Sequence, residues 1–108
     1  MEKDLQNRVL KHLTLESKSN PIWFYKSSDR YQIGIHDIIC CFNGWFVTFE
    51  LKDPDSYNKE TKMQEYNKKE INKCNGYSVA LNSWSEYKKQ YEFIIKKSRG
   101  LNFDKRKK

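Results

Sequence analysis

Asp37 and the tripeptide Glu50-Leu51-Lys52 are the residue types that phosphodiester chemistry uses. Paired carboxylates can hold a divalent ion against a phosphate. The ion lowers the pKa of bound water and neutralises charge on the phosphorus oxygens. Oxygen-only ligands favour Mg²⁺ or Mn²⁺. A lysine two residues past the glutamate returns to the same face of a strand, where it orients the attacking water or offsets charge in the transition state. The competing reading is a surface ion cluster at a sheet end, with Lys52 bridging two exposed acids. Glu-x-Lys is too common to separate the two by itself. The fold must bring residue 37 to residue 50.

The stretch Gly34 to Lys52, GIHDIICCFNGWFVTFELK, supplies the means. Asn43-Gly44 between two apolar runs is a strong hairpin signal, because a type I′ turn needs positive φ at both central residues. With that pair at the tip, Phe42 faces Trp45 and Asp37 falls opposite Glu50. Alternation puts His36, Ile38, Cys40 and Phe42 on one face with Trp45, Val47, Phe49 and Leu51. That face is nearly all apolar and should be core. Asp37, Ile39 and Cys41 share the other face with Phe46, Thr48, Glu50 and Lys52. Counted from the turn, Asp37 and Glu50 form a non-hydrogen-bonded pair, with Cα atoms about 4.5 Å apart. Two carboxylates so close repel, so one is protonated or a cation sits between them.

The other elements frame this hairpin. Glu2 to about Glu16 reads as a helix with Leu5, Val9, His12 and Leu13 as its apolar stripe. Ile22 to Ser27 reads as an aromatic-rich strand. A helix is expected from near Thr61 to Cys74, stopped by Asn75-Gly76. Its few apolar residues, Met63, Ile71 and Cys74, make it a surface helix. Tyr77 to Leu81 is a short strand. Ser83 and Glu86 fit a capping box that opens a last helix, with Trp84, Tyr87, Tyr91 and Ile94 as its buried stripe. The order is α-β-β-β-α-β-α. The strand–helix–strand step around residues 61–75 makes a right-handed parallel crossover if both strands share a sheet.

The chain has 108 residues and a formal charge of +7. That length suits a single domain, taken here as residues 1–97, with a basic tail over 98–108 that adds phosphate contacts. The charge favours a polyanionic partner, most simply nucleic acid. No membrane segment or signal peptide is expected, and Cys40, Cys41 and Cys74 are expected to be reduced thiols of a cytoplasmic protein.

Taken together, the early helix with Glu2 and Gln6, Gly34-Ile35-His36-Asp37, the Asn43-Gly44 hairpin, Glu50-Leu51-Lys52, Thr61-Lys62-Met63-Gln64 and Asn75-Gly76-Tyr77 resemble a minimal VRR-NUC domain of the PD-(D/E)XK nuclease superfamily. The resemblance runs from Glu2 to about Phe93, and the order and spacing carry it more than any one motif. It implies an α/β fold with a restriction-endonuclease-like αβββαβ core, a mixed sheet flanked by helices, and an extra C-terminal helix. It also implies a Mg²⁺- or Mn²⁺-dependent DNA endonuclease acting on branched or flapped DNA or Holliday junctions. By this resemblance Asp37 and Glu50 are metal ligands, as are the Leu51 backbone carbonyl and Glu2. Lys52 is the catalytic lysine and Gln64 lines the site. The family usually has proline before the aspartate. Here it is His36, which by parity points away from Asp37 and reads as a packed strand residue.

Simpler readings stand beside several of these roles. Gln64 completes a capping box with Thr61. Glu2 suits a helix N-terminus as a dipole acid. His12 reads as core. Lys26, Ser27, Ser28 and Arg30 are either phosphate contacts or a solvated loop. Trp23, Phe24, Tyr25, Trp45 and Trp84 are able to stack bases, but their spacing favours core for Trp23 or Tyr25 and for Trp84. The expected function is a structure-specific DNA endonuclease, with a homodimer to match a two-fold junction. The alternatives are a non-catalytic nucleic-acid-binding or inhibitor protein on the same fold, and an RNA-directed nuclease.

Overall fold

The computed structural model describes residues 2–27, 37–52 and 62–101, with the side chains of residues 2 and 3 left aside. Its elements are α1 (Glu2–Glu16), β1 (Ile22–Lys26), β2 (Ile38–Phe42), β3 (Trp45–Leu51), α2 (Lys62–Lys73), β4 (Tyr77–Leu81) and α3 (Trp84–Gly100). The sheet order is β1-β2-β3-β4. The first three strands form an antiparallel meander, and β4 lies parallel to β3. This is an α/β mixed sheet flanked by helices, an αβββαβ core with a further C-terminal helix.

The hairpin has the expected register, Phe42 opposite Trp45 and Ile38 opposite Phe49. Asn43 and Gly44 take φ of 50° and 89°, the signs a type I′ turn demands. The turn is tied down by the Asn43 side chain, which donates to the Ser98 carbonyl at 3.0 Å. Ile38, Cys40, Phe42, Trp45, Val47, Phe49 and Leu51 are buried on one face. Leu5, Val9 and Leu13 of α1 and Tyr87, Tyr91 and Ile94 of α3 complete that core. His12 is half-buried, its Nδ1 2.8 Å from the Tyr87 hydroxyl, with three aromatic rings edge-on to it. α2 has no buried residue of its own, as its composition implied.

Three expectations need correction. Trp23 and Tyr25 do not enter the core; they are 61% and 48% exposed. Ile22 pairs with Phe42 and Phe24 with Cys40, both inward residues, so the odd positions of β1 must face out. Trp84 is only partly buried, because it opens α3 and its ring lies under the Arg8 guanidinium at 4.2 Å. The last helix runs to Gly100, past the expected start of a tail at residue 98, and Ser98 is buried.

The Asn75-Gly76 stop divides two tasks between its residues. Asn75 takes φ of 68°, and its N–H reaches the Asn72 carbonyl while Gly76 N–H reaches that of Ile71, a Schellman closure. Gly76 serves close approach. A Cβ there would lie 2.8 Å from Ile71 Cγ2 and 3.2 Å from the carbonyl oxygens of Ile71 and Phe46. Gly76→Ala should therefore cost about 1–3 kcal/mol by overpacking. Asn75→Ala should cost about 1 kcal/mol through its left-handed backbone, and Asn75→Gly close to nothing. Urea denaturation of the three variants checks this ordering.

Candidate active site

The end of the β2–β3 hairpin delivers the acids. Asp37 stands just before β2, where its carbonyl accepts the Ser27 N–H at 2.8 Å. Its carboxylate Oδ2 accepts the Leu51 N–H at 2.8 Å, which locks the aspartate against the last residue of β3. Leu51 buries its side chain in the core while its backbone holds Asp37. Lys52 N–H donates to the Leu81 carbonyl at 2.7 Å, so β4 fixes the chain just past Glu50.

Glu50 is 3% exposed, and Gln64 of α2 reaches it across the face on which it lies. Its Oε2 accepts from Gln64 Nε2 at 2.6 Å and pairs with Lys52 Nζ at 3.2 Å. Lys52 Nζ also donates to Gln64 Oε1 at 3.3 Å. The three side chains close a ring, and only one orientation of the Gln64 amide serves both neighbours. Glu50 Oε1 is different. It is buried and takes no hydrogen bond among the described residues.

Burial pushes the Glu50 carboxyl up to about 7, and the Asp37 charge adds to the rise against the opposing pull of Lys52 and Gln64. A buried carboxylate oxygen without a donor is costly. It is satisfied by a proton or by a cation, and the neighbouring oxygens suit a hard divalent ion. Asp37 and Glu50 therefore fit such an ion. Among the described residues, no cluster of three or more His, Cys, Asp or Glu side chains forms. Two carboxylates with water and a backbone carbonyl are an ordinary Mg²⁺ shell.

The structure thus brings Asp37, Glu50, Leu51, Lys52 and Gln64 together. Gln64, in the first turn of α2, reaches the acids. Glu2 begins α1, but its side chain is outside the described residues, as are Ser28, Arg30, His36 and Thr61. Lys26 is exposed at the end of β1. Cys40, Cys41 and Cys74 are free thiols, and Cys40 and Cys41 differ in burial as their alternation requires. Sequence reading missed the Leu51 N–H bond to Asp37, which depends on a strand end meeting a side chain. It also missed the burial of Glu50, which depends on non-local packing.

The raised Glu50 pKa sets the sign of a pH effect in metal-free protein. An unfolded glutamate loses its proton near its ordinary 4.5, whereas the folded one keeps it to about 7. In that window the unfolded state binds fewer protons, so stability falls as pH rises, and above it the loss is complete. Glu50→Gln should flatten this part of the profile and, in EDTA at pH 8, raise stability by roughly 1–3 kcal/mol. Urea titrations of parent and variant across pH 4–8 measure it.

Comparison with protein-family models, with curated proteins and with solved structures returned no match for this chain.

Proposed function

We propose that this protein is a metal-dependent phosphodiesterase, a structure-specific endonuclease acting on branched DNA. The observation that carries the reading is the buried Glu50 carboxylate, one oxygen without a donor among the described residues, set beside Asp37 and flanked by Lys52 and Gln64. Asp37 and Glu50 would hold Mg²⁺ or Mn²⁺, together with the Leu51 carbonyl. The ion supplies Lewis acidity and a more acidic bound water.

The chain's own groups do the rest. Lys52 Nζ lies 3.2 Å from Glu50 and 23% exposed, so it can face a phosphate while its charge is held at the acids. There it orients the attacking water and offsets charge on the phosphorus oxygens. Gln64 holds both Glu50 and Lys52 and so keeps the lysine in register. The Leu51 N–H fixes the rotamer of Asp37. The resemblance to VRR-NUC domains points the same way, as does the charge of +7 toward a polyanion. A homodimer would suit a two-fold junction.

One observation favours the alternative, a non-catalytic nucleic-acid-binding or inhibitor protein. The Glu50–Lys52–Gln64 ring is closed on itself, as a purely structural ion cluster would be. Its orphaned Oε1 is the feature that such a role leaves unexplained. Incubation with junction, flap, duplex and single-stranded DNA, with and without Mn²⁺, separates the two. The nuclease reading expects Mn²⁺-dependent cleavage that Asp37→Ala and Lys52→Ala each slow by about 10²-fold or more. Equal cutting by parent and variants would refute it. Salt-sensitive binding without cleavage would favour the alternative.

A further inference from the structure

The sheet face that carries the candidate site is covered unevenly. Toward β4, Thr48, Glu50 and Ser78 are buried, and α2 reaches this face through Gln64 to Glu50 and Asn72 to the Ser78 N–H. Toward β1, no helix among the described residues covers the same face. Trp23 and Tyr25 project from it, 61% and 48% exposed, with nearly parallel rings (16°) whose centroids are 6.2 Å apart. Trp23 pairs with Cys41 and Tyr25 with Ile39. Asp37 is the next residue of the β2 line on that face, so Tyr25 and Asp37 are diagonal neighbours, about 7–8 Å apart at Cα in an ordinary sheet.

The strand is built the wrong way round for a core. Its inward residues are Ile22 and Phe24, while a tryptophan and a tyrosine face water. Neighbouring exposed rings of this size mark a contact surface. Flat aromatic faces on a sheet, in a basic protein, are what unpaired nucleobases stack on. Charge suits that occupant. The chain carries +7, Lys26 ends β1 in solvent, and Lys52 stands across the Asp37 corner.

We propose that Trp23 and Tyr25 form a stacking subsite for unpaired nucleobases. A single-stranded DNA segment lies over the open face of β1 and β2, and its adjoining phosphate reaches the Asp37–Glu50 corner. This inference rests on the reading of that corner as a site for nucleic acid. A continuous duplex keeps its base faces stacked on one another and cannot use the platform, so the subsite selects DNA unpaired next to the phosphate.

The test is binding of the full chain to a short oligothymidylate in EDTA, read by tryptophan fluorescence and by anisotropy of a labelled strand. Far-UV circular dichroism verifies that the variants fold. The parent should bind with quenched emission. Trp23→Ala and Tyr25→Ala should each weaken binding about ten- to a hundredfold, with heparin binding unchanged. Trp23→Phe should keep most of the affinity and lose much of the quench. Alanine variants that bind the strand like the parent would overturn the proposal, and so would equal losses toward heparin. A parent dimer that Trp23→Ala converts to monomer, with strand affinity intact, would also overturn it and make this face a contact between copies of the chain. EDTA keeps the readout independent of cleavage, so a protein that stacks bases but never cuts would count against the nuclease reading alone.

Discussion

Everything at the candidate site follows from placing one carboxylate out of water beside another. Glu50 is buried beside Asp37, so its charged form is disfavoured by burial first and by repulsion second. Lys52 and Gln64 relieve this at Oε2, while Oε1 has no donor among the described residues. Apolar packing would have been the stable choice at such a position. Keeping an acid there costs stability once it is charged, a trade often met at functional positions.

The surrounding fold acts as a positioning frame for that pair. The Asn43-Gly44 turn sets the register, and the buried residues of β2 and β3 make a slip costly, since one step would turn the apolar face to water. The far end of the ribbon is held by three backbone donors. Ser27 N–H reaches the Asp37 carbonyl, Leu51 N–H its carboxylate, and Lys52 N–H the Leu81 carbonyl. Strands β1, β3 and β4 thus all contribute to the corner where the acids meet. α2 then adds Gln64 from a helix that buries nothing of its own.

The element order, the hairpin register and the meeting of Asp37, Glu50 and Lys52 were legible in the sequence because each rests on local rules. A two-residue turn of known φ fixes pairing, and parity fixes faces. What escaped was non-local. The outward position of Trp23 and Tyr25 depends on how β1 pairs with β2, across residues with no turn signal to count from. The depth of Glu50 depends on packing from outside its own hairpin, and Gln64 comes to it from a separate helix. α3 extends to Gly100, and its Ser98 meets the hairpin tip in a contact that composition cannot announce. Asn75 and Gly76 were read correctly as a helix stop, but only the packing against Ile71 and Phe46 explains why glycine stands second.

Anomalous scattering from crystals soaked in Mn²⁺ tests the paired acids most directly. The expected result is a peak beside Asp37 and Glu50, within coordination distance of both carboxylates. Crystals saturated with Mn²⁺ that show no peak there, with Glu50 still bonded only to Lys52 and Gln64, would contradict it.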